Sequence, residues 1–211
     1  MVSRLLYPFL RYRGAVEQLG PPFLVLCAMA IPGWVVFRHH RLRTSGQSVS
    51  RRREILLLTA VVYLAGLATL TLAPTHASRA RRAQLRAEPA AGIELVPNLA
   101  SLTCSSERRA SVSSNRKFCM DNAAGNVLLF LPLGVLLPLV FRRLRFWQGM
   151  VSAIALSSSI EVAQYFTRAR GSNRSADVND VLLNSLGACV GLAIVFLMRW
   201  RLRASPLQGR D

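Results

Sequence analysis

"VLLNSLGACVGLAIVFLM", Val181 to Met198, runs for eighteen residues without a charge, and its reading decides the fold. A helix crosses the hydrocarbon of a bilayer with ~20 mostly apolar residues, within a range of about 17–25. Three other uncharged runs reach that length: Gln18 to Phe37, Ile55 to Thr75 and Asn122 to Phe141. A further run, Phe146 to Ile160, reaches it only by taking in Glu161 and continuing to Thr167. The sequence therefore predicts an all-α, polytopic membrane helix bundle of about five transmembrane helices, near 19–37, 54–72, 122–141, 148–166 and 178–198. The chain divides into a tail or interfacial segment over 1–18, two helices joined by a basic loop over 19–72, and a long extracytoplasmic loop over 73–121. A three-helix core over 122–198 and a basic tail over 199–211 complete it.

The charge agrees with this reading. The chain carries +17 at neutral pH, and 26 of its 27 basic residues are arginine. A nucleic-acid module would interleave basic and aromatic residues on a soluble domain. Here "RHHRLR", "RRR", "RRLR" and "RWRLR" sit beside the ends of apolar runs, as juxtamembrane anchors do, so nucleic acid is not an expected partner. Loops 38–53, 142–147 and 199–211 hold 13 arginines in 35 residues, against 14 basic residues in 78 on the alternate side. The positive-inside rule weighs short loops and helix flanks. It predicts a multi-pass cell-membrane protein with the N-terminus outside and the C-terminus in the cytoplasm. Cys27 and Cys189 lie within spans as small packing residues. Cys104 and Cys119 share one loop, and pairing is open to them if that loop faces an oxidising exterior.

Polar residues inside such runs need a reason. Glu161 is the one acid well inside a span, where even a low estimate of its cost at the centre is ~2.5–3.5 kcal/mol. Ser157, Glu161, Gln164 and Arg168 fall at i, i+4, i+7 and i+11, one face of a helix. Asp177, Asp180 and Asn184 fall at i, i+3 and i+7, one face of the next. About ten residues join the two helices, which makes them antiparallel neighbours with Arg170 and Arg174 in the connection. Asn122 and Asn126 stand at the same outer end of the preceding span. Structural readings stand beside the functional one. Asp177 suits a helix N-cap, and Asp180 complements the helix dipole. Asn126 and Asn184 suit interhelical hydrogen bonds, and Gly187 with Gly191 forms a GxxxG packing step. Oxygen ligands from Glu161, Asp177 and Asp180 would suit Mg²⁺ or Ca²⁺, but the neighbouring arginines favour an anion, so no metal and no cofactor is assigned.

"NAAGNVLLFLPLGVLLPLV" (Asn122 to Val140), "SSSIEVAQYF" (Ser157 to Phe166) and "NRSADVNDVLLNSLGACVGL" (Asn173 to Leu192) resemble the VanZ-like family. The pattern is an asparagine ahead of an apolar FxPLG helix, then E-x-x-Q, then R-x-x-D-x-x-D-x-x-x-N-x-x-G. In this chain those positions are Asn126, Glu161, Gln164, Arg174, Asp177, Asp180, Asn184 and Gly187. "TLTLAP" (Thr69 to Pro74) resembles the end of the family's second span. "ELVPN" resembles an N-L-x-P-F element, with Glu94 in place of the usual Asn and Asn98 in place of Phe.

The resemblance implies an envelope-associated membrane protein, linked through the family's namesake to resistance against the glycopeptide teicoplanin. The residue chemistry points to a site for a lipid-linked anionic molecule, a cell-wall precursor or a membrane lipid. Glu161, Asp177 and Asp180 are its candidate catalytic acids, and Asn126, Gln164, Arg174 and Asn184 its candidate substrate-binding groups. Whether such a site catalyses or only binds is left open by the sequence. A small transporter and a purely structural membrane protein are the competing classes.

Overall fold

The computed structural model describes residues 2–45, 50–72, 96–97, 112–168 and 177–204, with backbone alone for 2–16, 41, 45, 112–118, 167–168 and 204. Every regular element among them is a helix: α1 (Val2–Ser45), α2 (Arg51–Leu72), α3 (Val112–Val140), α4 (Phe146–Arg168) and α5 (Val178–Ala204). Four contain stretches long and apolar enough to cross a membrane: Glu17–Thr44, Arg51–Leu72, Cys119–Val140 and Val178–Arg203. The all-helical membrane architecture expected from the sequence is present. The helices outrun their expected limits. α1 is unbroken from Val2, and α3 starts at Val112 rather than near Asn122. Charged residues mark where hydrocarbon ends, but they do not interrupt backbone hydrogen bonding, so a helix continues past the apolar run.

The chain forms two compact units, one around α1 and α2 and one around α3, α4 and α5. In the first, the Arg38 guanidinium meets Glu54 Oε1 through Nε at 2.8 Å and Nη2 at 2.6 Å, joining the end of α1 to the first turn of α2. Thr69 and Thr71, both buried on α2, return their hydroxyls to the carbonyls of Ala65 and Leu67. This satisfies a polar side chain without a partner helix.

The second unit is built on α3 and α5, which run parallel and touch through glycine. A Cβ at Gly187 would fall on the Val127 carbonyl, one at Gly191 on the Leu131 carbonyl, and one at Gly134 on the Ala188 carbonyl. Small residues let helix backbones approach where lipid supplies no hydrophobic drive. α4 lies antiparallel to α5 along its length. Phe146 stacks edge-on against Phe196 at 5.7 Å, Gly149 faces Leu192, Ser157 meets Asn184, and Glu161 meets the start of α5. Phe130, Ala153, Ala188 and Leu192 form the fully buried core, while Val151, Leu182, Leu186 and Leu197 point outward. The unit thus buries polar and small residues beside Phe130 and Leu192 while leaving many large apolar side chains on its outside.

α4 has 23 residues, about 34 Å at 1.5 Å per residue, which is enough for ~30 Å of hydrocarbon. It is not among the four stretches apolar enough by composition to cross; it carries Ser157, Glu161 and Gln164, and all three are buried within the unit. The turn into it is tight. Phe141 N–H donates to the Leu137 carbonyl, Leu144 N–H to Phe141, and Gln148 Oε1 accepts the Arg145 N–H at 2.9 Å. The last is half of a capping box.

Gly187→Leu places a side chain against backbone that cannot yield. Overpacking of this kind costs about 1–3 kcal/mol, so the melting temperature in detergent is expected to fall clearly. Gly125→Ala, where nothing lies within 4 Å of the added carbon, is the matched control and is expected to melt as the parent does.

Candidate functional site

The first turn of α5 collects polar groups from all three helices of its unit. Asp177 stands one residue before the helix, and its Oδ1 accepts the Asn179 N–H at 2.8 Å. This is the N-cap arrangement, in which the cap side chain takes an orphan amide of the first turn. The Asp180 N–H donates to the Asp177 carbonyl at 3.1 Å.

The sequence D-V-N-D has the spacing of a capping box, in which the acid at the fourth position would reach back to the cap's own N–H. Here that duty passes to another helix. Glu161 of α4 accepts the Asp177 N–H on Oε2 at 3.1 Å. Asp180 is thereby released to α3, where its Oδ1 accepts from Asn126 Nδ2 at 2.6 Å. Glu161 is 6% exposed and Asn179 3% exposed, so both lie beneath the surface of the unit. The positive end of the α5 dipole stabilises carboxylates gathered at its start.

One rung deeper, Asn184 Nδ2 donates to Ser157 Oγ at 2.9 Å, with Ser157 fully buried. The Asn184 Oδ1 is buried and has no hydrogen-bond partner among the described residues. Gln164 is buried on the α4 face it shares with Glu161. The two faces read from spacing, Ser157–Glu161–Gln164 and Asp177–Asp180–Asn184, therefore meet, and Asn126 joins them. Among the described residues no three of His, Cys, Asp or Glu stand close enough together to hold a metal ion. Arg170 and Arg174 lie outside the described residues, as does the side chain of Arg168.

One participant escaped the sequence reading. Asn179 is buried at the site. Its signal was its place between two aspartates just ahead of an apolar run. Cys119 is in a disulfide, while Cys27 and Cys189 are free thiols. Cys104, the expected partner, lies outside the described residues. Cys119 sits two turns before Asn126 on α3, so the disulfide belongs to the same end of the unit as the polar cluster.

These features define an all-helical membrane protein with a buried acid-and-amide cluster at one end of a glycine-packed three-helix unit. The pattern of the VanZ/LLP1 family matches residues 60–199, and the chain belongs to that family. The match spans α3 and α4 and most of α2 and α5. Neither the curated proteins nor the solved structures contain a match to it.

A double-mutant cycle of Asn126→Ala and Asp180→Ala, read by unfolding in detergent, tests the contact between α3 and α5. Interhelical polar pairs in membrane proteins couple by about 0.6 kcal/mol on average and up to about 1.7. A bond as short as this one is expected in the upper half of that range.

Proposed function

We propose that the buried polar end of the three-helix unit is a binding site for a lipid-linked anionic molecule at the outer face of the cell membrane. The observation that carries this reading is the convergence of Glu161, Asp180, Asn126 and Asn184 on the start of one membrane helix. A polar constellation inside membrane helices is costly enough to be a functional hypothesis by default. Arg174, with Arg168 and Arg170 beside it in sequence, would take the phosphate of the ligand by charge-assisted, bidentate hydrogen bonds. Glu161, desolvated against α5, is the group placed for acid–base work, and Asp180 is its candidate partner. Asp177 positions Glu161 by offering it a backbone N–H. The unpartnered Oδ1 of Asn184 supplies an acceptor at the base of the site. The ligand class is a cell-wall precursor or a phospholipid. The link to glycopeptide resistance, teicoplanin in particular, rests on the family resemblance.

The outward placement has two independent supports. A disulfide at Cys119 fits an oxidising compartment, and Cys119 lies at the cluster's end of α3. The arginine-rich turn and α5 terminus lie at the other end, as the positive-inside rule asks of a cytoplasmic face. On this reading the N-terminus is outside and the C-terminus inside. A C-terminal green fluorescent protein fusion is expected to fluoresce and a C-terminal alkaline phosphatase fusion to be inactive; the reverse result would invert the site.

A second reading has its own observation: the Asp177 cap and the Asn184–Ser157 bond are what a purely structural lock would use. Glu161→Gln and Asp180→Asn separate the two. Under the ligand-site reading both variants keep wild-type amounts of protein in the membrane and lose the ability to raise drug tolerance in a susceptible host. Under the structural reading, yield and melting temperature fall instead. Full activity in both variants would reject the ligand site. Substrate flux in proteoliposomes would mark a permease.

A further inference from the structure

The opposite end of the same unit is strongly basic. Arg142, Arg143 and Arg145 occupy the tight turn between α3 and α4, and Arg199, Arg201 and Arg203 the last turns of α5. Two contacts bring these sets to one end. Arg199 Nη2 donates to the Pro138 carbonyl on α3, and Phe146 stacks on Phe196. The Pro138 carbonyl is one of the four that α3 leaves without an intrahelical donor, so Arg199 is spent as a cap across helices. Its guanidinium also lies 5.9 Å from the Phe196 ring centroid. The other five arginines are exposed. The acids of this unit with described side chains, Asp121, Glu161, Asp177 and Asp180, all lie toward the other end, so among the described residues nothing negative neutralises the arginines.

The surface beneath them identifies the kind of anion. Leu197, Val151 and Ile154 are exposed just below the arginines, and Trp147 and Trp200, 58% and 67% exposed, stand at the border. Tryptophan at such a border marks the headgroup level of a bilayer. A soluble anion would gain from the guanidinium groups alone. An amphiphile gains from both surfaces, with its phosphate on the arginines and its chains along the apolar helix faces below. Arginine also offers a planar fork that matches phosphate oxygens in pairs.

We propose that the turn 142–145 and the end of α5 together form a binding site for anionic phospholipid headgroups in the leaflet opposite the acid cluster. The site holds the arginine end at the headgroup level and sets the depth of the three helices. This proposal concerns different residues from the ligand site and stands without it.

Full-length protein in mild detergent, equilibrated with equal amounts of phosphatidylglycerol and phosphatidylcholine and examined by native mass spectrometry, provides the test. The wild type is expected to retain phosphatidylglycerol in clear preference. Each arginine near an anionic lipid surface contributes a factor of about five. Arg142→Gln with Arg143→Gln, and separately Arg201→Gln with Arg203→Gln, are therefore expected to cut the preference by about an order of magnitude or more. Raising salt from about 0.05 to about 0.5 M, which shortens the screening length severalfold, is expected to weaken the preference of the unsubstituted protein, and this arm does not depend on any variant folding. Equal retention of the two lipids by the wild type, a preference insensitive to salt, or undiminished preference in both paired variants would overturn the proposal.

Discussion

The close approach of α3 and α5 at Gly134, Gly187 and Gly191 is the constraint on which the rest of the unit depends. With backbone resting on backbone, the two helices cannot slide past each other without a clash, because each glycine meets a carbonyl of the other helix. The register so fixed sets Asn126 beside Asp180 and Pro138 beside Arg199. α4 then packs on the pair through small and polar residues, Gly149, Ala153 and Ser157, and its last buried turn delivers Glu161 to the start of α5.

Both ends of the unit solve one problem in the same way. Helix termini leave backbone groups without partners, and where such a group is buried between helices another part of the protein has to satisfy it. At one end a carboxylate from α4 takes an amide at the start of α5. At the other, a guanidinium from α5 takes a carbonyl at the end of α3. Each bond crosses between helices, so capping a helix and joining it to a neighbour become one interaction. The acid cluster thus belongs to the architecture as well as to any chemistry. Its substitution therefore has to be read by protein amount and activity together.

The sequence made parts of this plain. α5 was legible because its uncharged run has no other reading, and the faces of α4 and α5 were legible because i, i+3, i+4 and i+7 spacing places side chains on one side of a helix. Helix ends were not, since the apolar run measures hydrocarbon and α3 starts ten residues before its own run does. Sequence offered both a cap and an acid for Asp177. The Asn179 N–H on its Oδ1 establishes the cap. What no spacing could reveal is that Glu161, sixteen residues away, would take the N–H that the sequence pattern offers to Asp180. Arg199 was hidden for a similar reason: beside an apolar run it reads as a membrane anchor, and only the fold brings the end of α3 within its reach. Arg174 lies outside the described residues, and its part rests on sequence and resemblance.

The most direct measurement of the α3–α5 register is a cross-link. With Cys27 and Cys189 replaced by serine, Asn126→Cys and Asp180→Cys are introduced together and treated in native membranes with a short bifunctional thiosulfonate. Mass spectrometry of the digested protein then reads the linkage. Peptides of α3 and α5 are expected to be joined in high yield, with little joining when Leu182→Cys replaces Asp180→Cys and loss of the link when Gly187→Leu is added. Equal yields from positions 180 and 182, or no link at 180, would contradict this register.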